Sequence, residues 1–388
     1  MLSRYYHPNA GLPRKQVRLQ PSMRALLVSC IALTLAGSPA LAGATRAPSS
    51  KPKSVVTKEV RLGLLRRAQV WTPTDVRSMD LRAGPQGKGA FPPDAEVTCD
   101  YLEKKLTGSS PKFDCTIGAN DVARVKYGAG NGEVEGTVAA SRLLWALGFG
   151  YAPAYSVRVT CRGCPVDPWK NRKRVDGSHV FDPAVVMRLP RGREIKTAED
   201  SGWGWQELDL VDHTKGGATR AQLDAFKLLA VLMQHTDNKP AQQELVCLPG
   251  RTGHDDGCAR PFLILRDVGL TFGHGNFSNS AATGSVNFTA WSKTPVWRDA
   301  DTCVGHMSRS HTGTLGDPTI SEAGRAFLAG LLIQLSDRQL ADLFSAAKVD
   351  RRSRQPNAAE KPPGATVDEW VAAFKQKREE IVSKRCPS

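Results

Sequence analysis

The chain has 388 residues, with 53 Lys and Arg against 38 Asp and Glu and a formal net charge of +15. That balance is not gathered into a Lys/Arg tract with interleaved aromatics, so specific nucleic-acid binding is not expected. Past the N-terminal segment no apolar run reaches the ~18 residues of a membrane span.

Residues 1–22 are basic. From Met23-Arg24 the run ALLVSCIALTLAG leads to Ala40-Leu41-Ala42, the charged, apolar and A-x-A order of a secretory signal over 1–42, with Met23 as an alternative start. Leu27-Val28-Ser29-Cys30 has the form of a lipoprotein box, but too few apolar residues precede Cys30. The expected location is secreted or periplasmic. Residues 1–42 hold five Lys/Arg and no Asp/Glu, so the mature chain carries +10. Residues 43–70 are polar and rich in Lys, Arg, Pro and Ser, which reads as a flexible basic linker.

Short strand signals follow between Val76 and Asp121. The turn Gly84-Pro-Gln-Gly87-Lys-Gly89 has the glycine density of a phosphate-covering loop, although Pro85 removes one amide. Val122–Tyr127 alternates as a strand and carries Lys126. Glu133–Leu147 reads as a helix closed by Gly148. Ala154–Thr160 and Val180–Leu189 read as strands, and the basic link Arg162–Ser178 is rich in turn formers. Trp203 and Trp205 are expected to pack as core.

Leu223, Phe226, Leu229 and Met233 recur every three or four residues, and Leu228, Val231 and Leu232 widen the stripe until the helix must be buried. It breaks at His235-Thr-Asp-Asn-Lys-Pro240. A strand-like run, Phe262–Leu265, then stops at Asp267-Val268-Gly269. The polar, glycine-rich stretch beyond it holds Ser278, Ser280 and Thr283 as modifiable residues. His274, His306 and His311 are the histidines open to metal, but without a ligand spacing. Helices opening at Ser321-Glu322 and Ser336 follow. After a Pro/Arg-rich break, Thr366–Glu369 forms a capping box for a last helix that buries Trp370, Phe374 and Ile381.

Cys30 leaves with the signal. The eight remaining cysteines, Cys99, Cys115, Cys161, Cys164, Cys247, Cys258, Cys303 and Cys386, read as four disulfides in an oxidising compartment. Spacing suggests Cys99–Cys115, Cys247–Cys258 and Cys303–Cys386, with connectivity open. Cys161-Arg-Gly-Cys164 also has the form of a zinc half-site or redox pair, with no second half-site near it.

The segment His235-Thr-Asp237-Asn-Lys239-Pro-Ala-Gln242, followed by Asp267-Val-Gly269, resembles the H-R-D-x-K-P-x-N and D-F-G motifs of protein kinases. Thr236 stands for Arg and Gln242 for Asn. These departures, with the long gap to Asp267, look most like the divergent branch of HipA-type, phosphoinositide and secretory-pathway kinases. The resemblance spans about Gly84 to Phe344. It implies an α+β, two-lobed fold, with a strand-rich N-lobe over 71–189 and a mainly helical C-lobe over 190–388. It also implies transfer of phosphate from ATP, with Mg²⁺ or Mn²⁺, to a hydroxyl of a protein or sugar acceptor. Lys126 would hold the nucleotide phosphates beneath Gly87 and Gly89. Its acidic partner in HipA-type sequences falls on Thr137; Glu133, one turn earlier on the same face, is taken here, because Glu135 projects elsewhere. Asp237 would accept the hydroxyl proton, Lys239 would neutralise the moving group, and Gln242 and Asp267 would bind the metal. A pseudokinase that scaffolds is the main alternative, because ATP is expected to be scarce outside the cytoplasm. Transfer of AMP and a polyanion-binding structural role are the others.

Overall fold

The computed structural model describes residues 53–119, 121–199, 201–250, 257–274, 285–307, 313–353 and 365–387. The signal segment, Ser278, Ser280, Thr283 and His311 lie outside these, as does the side chain of His274. The fold is of mixed α+β type. It opens with β1 (Lys53–Val55) and α1 (Lys58–Arg66), where a flexible linker was expected. β1 pairs in parallel with β7 (Arg193–Lys196). Thr57 caps α1, Leu64 and Leu65 are buried, and Arg61 forms an ion pair with Glu207 at 2.7 Å. Two adjacent leucines outweigh the polar composition around them.

β2 (Glu96–Leu102), β3 (Lys112–Gly118), β4 (Asp121–Tyr127), β5 (Ala154–Arg162) and β6 (Ser178–Met187) form a closed barrel in the order β2-β3-β4-β6-β5. Parallel pairing of β2 with β5 closes it. Val97, Phe113, Val125, Tyr127 and Phe181 fill the interior. α2 (Glu133–Ala146) lies between β4 and β5 in sequence and is buried along almost its whole length, with Val138, Leu143 and Leu144 in the main core.

β7 belongs to a second sheet, β1-β7-β8-β9, with β8 (Gln243–Cys247) and β9 (Pro261–Leu265) as its hairpin. Thr219 and Gln222 form a capping box that starts α3 (Arg220–Met233), and Gln234 ends it in the left-handed conformation at φ 53°. Trp203 and Trp205 pack against Phe226 on α3 with tilted rings, centroids 5.9 and 5.3 Å away. Beyond β9 come α4 (Phe288–Lys293), α5 (Glu322–Leu332), α6 (Asp337–Ala347), α7 (Val349–Ser353) and α8 (Val367–Val382). Trp291, Phe344, Trp370 and Phe374 gather between α4, α6 and α8.

The eight cysteines form Cys99–Cys115, Cys161–Cys164, Cys247–Cys258 and Cys303–Cys386. Four disulfides fit an extracellular or periplasmic protein. Among the described residues no helix is long and apolar enough to cross a membrane.

Candidate functional site

Along β4, Ala123, Val125 and Tyr127 point into the barrel, so alternation sends Lys126 to the other face, under α2. Lys126 is fully buried. Its Nζ donates to Glu133 Oε2 at 2.6 Å and to Asp267 Oδ1 at 2.7 Å. Glu133 opens α2 and is itself buried; Ser110 Oγ donates to the same Oε2 at 3.0 Å. Thr137 faces elsewhere, its Oγ1 donating to the backbone of Glu133 at 2.6 Å.

Burial alone would push the Lys126 ammonium down and the Asp267 carboxyl up. Their mutual attraction wins, holding Lys126 above its usual range and Asp267 well below the usual carboxylate range. The Asp267 side chain keeps 24% of its surface open. Gly269 N also donates to its Oδ1, at 3.3 Å.

The turn 267–269 lies directly against α2. A Cβ on Gly136 would fall inside van der Waals contact with the carbonyl oxygen of Gly269, and Thr271 Oγ1 donates to Gly136 O at 3.2 Å. A Cβ on Gly269 would lie 2.8 Å from both Lys126 Nζ and Glu133. Both positions therefore need glycine for close approach.

A second group sits on the loop after α3. Asp237 accepts from Lys239 Nζ at 2.9 Å and from Gln242 Nε2 at 2.6 Å. Asn238 is buried and fixes the loop: it donates to His235 O at 2.9 Å and accepts from Leu315 N at 2.8 Å. Gln243 Nε2 braces it from behind through Asn238 O and Trp203 O. His235 is fully buried, among the described residues neither ring nitrogen is bonded, and burial lowers its pKa to about 4. The two groups are joined through backbone, because Asp267 N donates to Gln242 O at 3.1 Å.

Gly87 and Gly89 do not join them. Gly89 O accepts from Arg188, whose guanidinium is ion-paired with Asp121 at 2.6 Å. Asp121 begins β4, five residues or about 16 Å of strand from Lys126. The loop at the Lys126 end of the barrel is instead 103–111, which joins β2 to β3. It brings Ser110 to Glu133 and Gly108 close to Lys112, while Lys112 pairs across the strands with Lys126. Burial, then the charge of Lys126, pull the Lys112 pKa down. Sequence reasoning missed this loop because it holds one glycine; the signal was its place immediately before the strand pair that ends in Lys126.

The chemistry of the donor set fits a hard divalent cation. Asp267 is bonded through Oδ1 and Gln242 through Nε2, so among the described residues Asp267 Oδ2 and Gln242 Oε1 remain as oxygen donors. Mg²⁺ is commonly held by one or two carboxylates together with substrate phosphates. Among the described residues no three His, Cys, Asp or Glu side chains gather as an all-protein metal cage. A cavity of about 410 Å³ lies not at this site but beside Trp145 and Phe262; the site is defined by its paired charges.

The chain is similar in structure to the proinflammatory kinase CtkA of Helicobacter pylori, with a TM-score of 0.35 and 12% identity, over 76% of this chain and 95% of that one. The sequence matches no family model, and no curated protein matches it.

Proposed function

We propose that this protein is an exported kinase-like phosphotransferase of two lobes, 71–189 and 190–388, moving phosphate from ATP to a hydroxyl of a protein or sugar. The observation that carries the reading is the buried Lys126 held between Glu133 and Asp267, next to a second group built on Asp237. Phosphoryl transfer asks mainly for positioning and charge neutralisation, and these residues supply both. Lys126 binds the α/β-phosphates, and Glu133, fixed by Ser110, orients its ammonium. Lys112 and the 103–111 loop take the covering position first assigned to Gly87 and Gly89. Asp237 accepts the proton of the attacking hydroxyl, and Lys239 beside it neutralises charge on the transferred group. Mg²⁺ or Mn²⁺ at Asp267 and Gln242 would supply further charge neutralisation.

The test is thermal denaturation with ATP, ADP and GTP, each with and without Mg²⁺ or Mn²⁺. A nucleotide at a hundredfold over its Kd stabilises by about 2.7 kcal/mol, and the effect should require the metal and vanish in Asp267→Asn. No stabilisation with any nucleotide and either metal overturns the reading. One observation favours the pseudokinase instead: the Gln242 amide is bound to Asp237, which occupies the proposed base. In that case nucleotide binds and no acceptor is phosphorylated.

A further inference from the structure

We infer that the cavity of about 410 Å³ behind α2 is a binding site for a small amphiphilic anion, one with an aromatic or short aliphatic body and a single carboxylate or phosphate head. The cavity is separate from the Lys126–Asp267 pair and plays no part in the proposed transfer. Its volume lies in the range of ligand pockets, about 300–1,000 Å³. Trp145 from the end of α2, Tyr151 from the loop after it, and Phe262 and Ile264 from β9 form its walls. Phe262 and Ile264 face away from the main core and form a small apolar cluster of their own with Val246. Of these, Trp145 and Tyr151 are half-buried and present most of the open apolar surface, while Phe262 and Ile264 form a closely packed floor.

The head-group assignment comes from charge. Arg191 and Arg260 line the cavity, both exposed. Among the described residues neither guanidinium is paired with a carboxylate; the hydrogen bond of Arg260 is to Pro249 O, at 3.4 Å. Arg260, Phe262 and Thr72 also line an adjoining cavity of about 200 Å³, where Arg67 and Lys215 are the other charged residues. An aromatic-walled end thus runs into a cationic end, with Arg260 at the junction. Guanidinium binds carboxylate and phosphate through two parallel hydrogen bonds, and the adjacent aromatic walls take the apolar body. A purely apolar occupant would leave the guanidinium groups of Arg191 and Arg260 without a counter-charge, and a bare anion would leave the walls uncovered.

The probe is 8-anilino-1-naphthalenesulfonate, an aromatic anion whose fluorescence rises on leaving water, titrated into the mature folded protein. One saturable equivalent per chain is expected. Arg260→Glu, an exposed substitution that leaves the walls intact, should weaken binding at least tenfold, and Thr72→Trp should block it by filling the junction. Asp267→Asn should bind the probe as wild type does. Displacement by decanoate or by 2-naphthoate supports the site and tells an aliphatic body from an aromatic one. The inference is overturned by non-saturable binding, by unchanged affinity in Arg260→Glu, by loss of binding in Asp267→Asn, or by full displacement with inorganic phosphate alone.

Discussion

Lys126 reads from its strand, and position on the face of α2 singles out Glu133 as its partner, the residue whose carboxylate lies 2.6 Å from the ammonium. Three residues of α2 were in play and all are buried, so reach separates them: Glu133 Oε2 meets the ammonium, and the side chain of Thr137 turns back onto its own helix. Asp237 is the residue on which enzyme and scaffold divide. Asp237→Asn keeps the shape of the loop and removes the base, so nucleotide affinity should hold while transfer falls by about 10²–10⁴-fold; equal rates in single-turnover assays sink the assignment. Gln242 is one methylene longer than the asparagine of the motif. Mg²⁺ demands near-ideal octahedral geometry, so turnover should be higher with Mn²⁺, and Gln242→Asn should narrow the difference. A metal preference unchanged in Gln242→Asn and Gln242→Ala would take this side chain out of the metal site. His235 gives a pH signature that no motif predicts. In the unfolded chain it titrates near 6.5, and in the fold near 4, because burial disfavours the cation despite the nearby charges of Asp237 and Asp267. Above pH 6.5 it is neutral in both states and contributes nothing. As pH falls from 6.5 towards 4 the unfolded chain takes the proton first, so stability drops, by up to about 3 kcal/mol for a shift of this size. Urea unfolding at pH 7.5, 5.5 and 4 should show that loss in wild type and a smaller one in His235→Leu; parallel profiles would mean that His235 does not titrate between them.

At the scale of elements, α2, α3 and β9 were legible because each carries its own local signal: a glycine stop, an apolar stripe, and a run of Phe-Leu-Ile-Leu before Asp267. What was not legible depends on partners far away in sequence. Leu64 and Leu65 look like two leucines in a basic tail until β7, Glu207 and the main core are supplied. The glycine-dense turn at 84–89 was expected near Lys126, whereas the register of β3 on β4 puts 103–111 at the Lys126 end. The contact between α2 and the turn at Asp267 is the junction on which the site depends, and it is made through glycine. Gly136→Ala would ordinarily favour a helix by up to ~1 kcal/mol. Here its Cβ meets the carbonyl of Gly269, and backbone cannot swing aside as a flexible side chain can. Overpacking of this kind costs about 1–3 kcal/mol, so the variant should be less stable than wild type. It should also bind nucleotide more weakly, because α2 must lift Glu133 away from Lys126. A Gly136→Ala protein with unchanged unfolding midpoint and unchanged ATP affinity would show that the two elements are not in this contact.

For the molecule as a whole, the order of strands followed by helices was readable, and so was an even set of cysteines. Closure of the barrel was not, because the pairing of β2 with β5 joins Glu96 to Arg158 across three intervening elements that no local pattern connects. The disulfides differ in the length of chain they close. Cys161–Cys164 encloses almost nothing, while Cys303–Cys386 spans 83 residues and holds the end of α8 against the segment before α5. Constraining the unfolded chain over that length is worth about 4–5 kcal/mol in the chain-entropy model, an upper figure that native strain and residual structure reduce. The folded contacts around it are made independently. Trp370, Phe374 and Ile381 remain buried, Arg325 donates to Ile381 O at 2.9 Å, and Glu322 accepts from Cys386 N at 2.8 Å. Cys303→Ser/Cys386→Ser should therefore still fold, with α8 docked, but unfold at a markedly lower denaturant midpoint. Cys161→Ser/Cys164→Ser should lose far less. Chemical denaturation of the two double variants beside wild type separates these outcomes. Equal losses from the two pairs would mean that local packing around each disulfide, and not the length of chain it closes, sets its contribution.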